Sequence, residues 1–237
     1  MAQACAGTLP APRFPSARAR SRMSPAHVEE LLRGGGRYEP AILPELTEHL
    51  AQQLETGDYD LEANLAILKL YLLFPGETDV EVMKGILLKA LMAFPKTHFS
   101  LCMYQIQEKH RPELKEILHL AEQLEMATFR NFWKEAESVQ VLERAKGWEA
   151  AVRRFIAGVV SATYRSIKAS QLTELLNQSP AELEATIQEH QWVRSTEDSD
   201  VIIVNTMSFE SATRVEVTAP THISLDQYKT LFGAAST

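Results

Sequence analysis

Between Tyr59 and Phe74 the chain reads YDLEANLAILKLYLLF, a stretch that leaves a helix hardly any face to give to water. Asp58 or Asp60 can cap its N-terminus, because a short side-chain oxygen there accepts from first-turn N–H groups that have no helical partner. Phe74-Pro75-Gly76 stops it, since proline breaks the hydrogen-bond ladder and glycine permits a reversal. After Leu61 the polar side chains are Glu62, Asn64 and Lys69. At about 100° per residue, Glu62 and Lys69 share one edge while Asn64 points nearly opposite. Leu61, Leu65, Leu68 and Leu72 fill one further face, and Ile67, Leu70 and Phe74 another. Such a helix has to be packed on several sides by other helices. Asn64 stands alone on a buried face that it shares with Tyr71. A buried unpaired amide costs about 1–3 kcal/mol, so a neighbouring helix is expected to supply it with a partner.

The surrounding chain has the material for that packing. Ser24-Pro25 opens a helix through Val28, Leu31 and Leu32, which Gly34-Gly35-Gly36 ends. A second runs from about Pro40 to Leu54 with Leu43, Leu46, Leu50 and Leu54 on one stripe. Thr78 and Glu81 suggest a capping box for a helix to Phe94, which Pro95 stops. Further helices are expected over His98–Lys109, from Pro112 through Leu124, after a Thr128 cap, and over Trp148–Tyr164. The stops at Phe74-Pro75 and Phe94-Pro95 recur after 20 residues, so a two-helix unit has a period near the ~34–47 of helical repeats. After the long helix the pattern changes. Ser170 can cap a short helix, QLTELLN, and Ser179-Pro180-Ala181-Glu182 is a capping box opening another. Trp192–Arg194 and Val201–Val204 then read as two strands around the turn STEDSD. Helix, turn, helix and hairpin is the order of a winged helix. The expected division is a disordered extension over 1–23, a HEAT-like helical-repeat domain over 24–145, a winged-helix domain with its leading long helix over 146–220, and a C-terminal helix and tail over 221–237.

Catalytic chemistry is hard to find. Of the seven histidines, none lies in an HExxH pattern, and His119 with Glu122 has no second histidine at metal-ligand spacing. Cys102 sits among apolar helix neighbours and reads as an inert buried thiol. Gly34-Gly35-Gly36 follows a helix and lacks the Gly-Lys-Ser/Thr ending of a phosphate loop. No catalytic, cofactor or metal residues are expected. Two cysteines, Cys5 and Cys102, are too few for a disulfide framework and suit a reducing compartment. No apolar run approaches the ~18–20 residues that span a bilayer.

Charge weighs against nucleic acid. The first 28 residues hold Arg13, Arg18, Arg20 and Arg22 and no acid, so the formal −7 of the whole chain leaves −11 on residues 29–237. The helix that a winged helix would place in the major groove is AELEATIQEHQ, with Glu182, Glu184 and Glu189 and no Lys or Arg. The wing turn adds Glu197, Asp198 and Asp200. A protein-docking module is therefore expected in place of a DNA reader. Residues 1–23, rich in Ala, Pro, Arg and Ser, read as a disordered extension or, as the alternative, a transit peptide.

Four stretches carry a family resemblance: YDLEANLAILKLYLLFP, ILLKALMAFPKTHFSLC, FRNFWKEAE and the final ISLDQYKTLF. They resemble the subunit K family of eukaryotic translation initiation factor 3, from about Val28 onward, with residues 1–23 departing from it. That resemblance implies a HEAT-like helical domain followed by a winged helix, the PCI-like architecture shared with the proteasome lid and the signalosome. It implies a non-catalytic, cytoplasmic scaffold that sits beside subunit L. The complex it belongs to would bind the small ribosomal subunit and support pre-initiation complex assembly and mRNA recruitment. A lid or signalosome subunit, or a nucleic-acid-binding winged helix, are the alternatives. Candidate docking residues are Val201 and Ile203 on the hairpin, and Leu225, Tyr228, Leu231 and Phe232 on one side of the closing helix.

Overall fold

The computed structural model describes residues 25–196 and 198–205. Seven helices follow one another through short turns and 3₁₀ segments: α1 (Pro25–Leu31), α2 (Leu43–Thr56), α3 (Leu61–Leu73), α4 (Val80–Leu91), α5 (His98–Gln105), α6 (Lys115–Glu125) and α7 (Phe129–Ala136). The long α8 (Trp148–Thr163) leads into β1 (Ser166–Lys168), α9 (Ala169–Leu176), α10 (Pro180–Glu189), β2 (Val193–Arg194) and β3 (Val201–Ile203). The described protein is thus mainly helical, with one antiparallel sheet in the order β1-β3-β2.

Local chemistry sets most of the boundaries. α2 stops at Gly57, whose left-handed backbone (φ 85°) lets its N–H donate to the Gln53 carbonyl at 3.1 Å. Asp60 is the residue that caps α3, its carboxylate accepting from the Ala63 N–H at 3.1 Å. Ser179 and Glu182 form the expected capping box of α10, each accepting from the other's backbone N–H.

Other caps differ from the sequence reading. Asp79, and not Thr78, caps α4 by accepting from the Glu81 N–H at 2.8 Å. The Glu81 carboxylate is then free to meet Lys84 at 2.8 Å and Arg144 at 2.6 Å instead of bonding back to the cap. Thr128 makes no side-chain cap for α7; its hydroxyl donates back to the Gln123 carbonyl. Ser170 lies inside the first turn of α9, which starts one residue earlier where the Ala169 N–H donates to the Asp200 carbonyl. The helix from His98 ends at Gln105, and Pro112 sits within a 3₁₀ segment, Glu108–Leu114. β1 is an addition that the sequence did not signal. It is three residues long with a single apolar one, Ile167, too short for alternation to register.

The most enclosed helix is also displaced from its expected place. Nine of the twelve residues of α4 are buried, because α2, α3, α5 and α6 all pack on it. α3 buries seven of thirteen, including Asn64 and Tyr71, but Leu72, Leu73 and Phe74 at its end are exposed. Periodicity reported that α3 is apolar all round; it could not report that its neighbours stop covering it after Tyr71.

One continuous core runs from Val28 to Ile202. Phe155 of α8 meets Phe94 at 5.4 Å and Phe129, edge-on, at 6.1 Å between ring centroids. α9 is held through its C-terminal carbonyls, which no helical N–H can reach. The Trp133 indole N–H donates to Leu175 O at 2.9 Å, and Arg153 donates to Leu176 O and Asn177 O at 3.1 and 3.0 Å.

Candidate interaction surfaces

β3 is the middle strand, so its side chains divide between two faces with a period of two. Ile202 points into the core, fully buried, with Ile167 of β1 opposite it. Val201 and Ile203 project to the other face and are half-buried. There Ile203 stands in register with Val193 on one side and Ser166 on the other, and Val201 with Lys168. Val193 is 54% exposed, which leaves an apolar strip of Val193, Ile203 and Val201 on the outside of the sheet. Of the docking residues named from the sequence, the fold brings Val201 and Ile203 together. Leu225, Tyr228, Leu231 and Phe232 lie outside the described residues. Val193 is a member the sequence reading missed, although its signal was present: Trp192 beside it is buried, and alternation then turns Val193 outward.

The acidic groups around this sheet are largely engaged in local structure. Ser179 donates its backbone N–H and its hydroxyl to Glu182, which holds that carboxyl below the usual range. Glu184 of α10 pairs with Arg194 of β2, and Arg194 also donates to the Ser199 carbonyl in the turn. Asp198 accepts from the Asp200 N–H at 2.9 Å. No Lys or Arg lies on α10, so the surface that a DNA reader would set against phosphate carries carboxylates.

The groups with chemical potential in the sequence are engaged in contacts of their own. His119 is half-exposed and meets Glu122 at 3.5 Å, Glu135 at 3.1 Å and the Gln123 amide at 3.1 Å, bracing α6 against α7. His49 of α2 meets the α3 cap residue Asp60 at 3.2 Å, and that bond draws the Asp60 carboxyl below its ordinary pKa against the opposing effect of burial. The Cys102 thiol is fully buried, and burial pushes its pKa up to about 12, so thiolate chemistry is suppressed. Among the described residues no group of three or more His, Cys, Asp or Glu side chains is placed to hold a metal ion. No described helix is long and apolar enough to cross a membrane.

Residues 77–214, from the approach to α4 past the end of β3, match the family model described as CSN8/PSMD8/EIF3K. The chain belongs to the CSN8/PSMD8/EIF3K family. It is 38% identical over 184 residues to the protein named eukaryotic translation initiation factor 3 subunit K of Xenopus tropicalis, covering 76% of this chain and 84% of that one. The human protein of the same name is 38% identical over 183 residues, covering 76% and 83%. The mouse protein of that name reaches 42% over 154 residues, covering 64% and 71%. The family segment contains both the enclosed helix α4 and the outer strip of the sheet. Tyr59–Phe74 lies before that segment.

Proposed function

We propose that the chain is a scaffold subunit of eukaryotic translation initiation factor 3, in the position of subunit K. The observation that carries this reading is the similarity of three-quarters of the chain to proteins bearing that name in frog and human. On this reading α1–α7 form a HEAT-like helical domain (24–145), and α8 to β3 form a winged helix (146–220) that docks proteins. The helix, helix, hairpin order of α9, α10, β2 and β3 supports the second assignment. Its work is non-catalytic and cytoplasmic. It contacts neighbouring subunits, chiefly subunit L, and through the complex supports small-ribosomal-subunit binding, pre-initiation complex assembly and mRNA recruitment. The apolar strip at Val193, Val201 and Ile203, and Leu225, Tyr228, Leu231 and Phe232 beyond the described residues, are the proposed docking groups. No cofactor, metal or direct sequence-specific nucleic-acid contact enters this reading.

Affinity purification of the tagged full chain with mass spectrometry tests it. Recovery of the other initiation-factor subunits together with small ribosomal proteins is the expected result. The family model is shared with signalosome and proteasome proteins, so recovery of proteasome-lid or signalosome subunits instead would overturn the assignment.

A further inference from the structure

Lys89 of α4 is only 2% exposed, the most enclosed charge in the described protein. Its ammonium has three N–H donors, and the hydrogen bond it makes is to the Gln53 carbonyl at 3.1 Å. No carboxylate among the described residues forms an ion pair with it; the Asp58 charge acts on it from beyond contact, and Asp58 itself accepts from the Thr56 hydroxyl at 2.9 Å. A buried cation left in that state ordinarily calls for a counter-charge. Beside it opens a cavity of about 310 Å³ between the α2–α3 turn, the end of α4 and α8. Lys89, Lys96 and Arg154 line it with Tyr59, and among the described residues no carboxylate does. Lys96 and Arg154 are solvent-exposed and make no ion pair with a described residue.

We propose that this cavity is a binding site for a phosphate-type oxyanion. Lys89 supplies unused donors from the buried side, and Lys96 and Arg154 close the charge balance from the solvent side. The guanidinium of Arg154 can hold two anion oxygens at once. The volume is at the low end for small-molecule sites, which suits a phosphomonoester and not a nucleic-acid duplex. Two sources share the chemistry: a free phosphorylated metabolite, or a phosphorylated side chain of a neighbouring protein. The proposal is independent of the assignment to the initiation factor.

The test titrates the full chain with sodium pyrophosphate and, separately, with a short phosphoserine peptide at constant ionic strength. Calorimetry and the melting temperature are read together. A Lys96→Glu/Arg154→Glu double variant is compared with Lys115→Glu/Lys134→Glu, which changes net charge equally at exposed positions on α6 and α7. The expected result is a saturable rise in melting temperature with at least one probe, because a ligand that binds only the folded state stabilises it. The cavity variant should bind at least about tenfold more weakly, with the control within about twofold of the parent. Lys89→Met should weaken binding by a similar factor. Tighter binding of the peptide names a protein phosphosite as the source, and tighter pyrophosphate binding a free phosphate. Absence of binding by the parent, or equal loss in the two charge-reversed variants, overturns the site.

Discussion

Asn64 and Gln53 exchange both halves of their amides across the interface of α2 and α3, at 3.2 Å in each direction. Both are buried, so each is the other's substitute for water. Gln53 carries more than this pair: its side-chain oxygen also accepts from the Asp60 N–H at 3.0 Å, and its carbonyl from Lys89. Asn64→Leu should destabilise by about 1–3 kcal/mol, and Gln53→Leu by at least as much, because each strands the partner amide. The double variant should cost less than the sum of the two, a coupling that urea midpoints for the four proteins would measure. Strict additivity would show the pair is not coupled. Asn64 announced its need for a partner in the sequence, being polar on an apolar face. Gln53 did not, because a residue of the polar run Gln52-Gln53 reads as solvated, although its spacing from Leu46 and Leu50 sets it beside the apolar stripe of α2. The adjacent Asp60 gives a pH dependence. Its carboxyl is drawn below its ordinary 3.8 first by the His49 hydrogen bond. The folded state therefore favours the ionised form, so this stabilisation is present above the ordinary value and fades as pH falls through the lower, folded one. Asp60→Asn keeps a capping oxygen and removes the charge. The stability gap between parent and Asp60→Asn should be visible near pH 6 and shrink near pH 3. A gap unchanged between the two would place the effect outside the carboxylate's ionisation.

At the level of elements, the sequence was legible where a helix has one apolar stripe and a local cap. The α2 stripe of Leu46, Leu50 and Leu54 and the Ser179–Glu182 box are both where their spacing put them. It was less legible where two capping residues stand side by side. Thr78 and Asp79 satisfy the same local grammar, and the choice falls to the chain's approach: the Asp79 carboxylate accepts from Glu81, while the Thr78 hydroxyl is buried without a hydrogen bond. Asp79→Ala should cost about 0.5–2 kcal/mol, and Thr78→Val about nothing or a slight gain. Thermal melts of the two variants decide it, and a larger loss at Thr78 would return the cap to the sequence reading. Gly85 is a second illegible element feature. A Cβ there would come within 3.3 Å of the Leu54 side chain, so the missing side chain is what lets α4 lie close against α2. That closeness helps make α4, with its cation Lys89, the enclosed helix that composition assigned to α3.

Across the whole molecule, the sheet is the part whose inner and outer faces say different things. Its inner side is finished: Ile167 and Ile202 are buried, and the α9 carbonyls beside it are taken by Trp133 and Arg153. Its outer side keeps Val193, Val201 and Ile203 uncovered or half-covered on short strands, where an exposed apolar side chain contributes little to folding. If those residues serve docking, their worth appears only in the assembly. Val193→Asp should then change the stability of the isolated chain by no more than about 0.5 kcal/mol. In a reconstitution with the neighbouring subunit it should weaken binding at least about tenfold, equivalent to about 1.4 kcal/mol. Met126→Asp makes the matching control, since Met126 is 66% exposed at the end of α6, with no part in the sheet. Binding retained by Val193→Asp, or lost equally in both variants, would remove the sheet's outer face from the interface. A lowered melting temperature of Val193→Asp alone would mean instead that this valine serves the fold of the chain and not the interface.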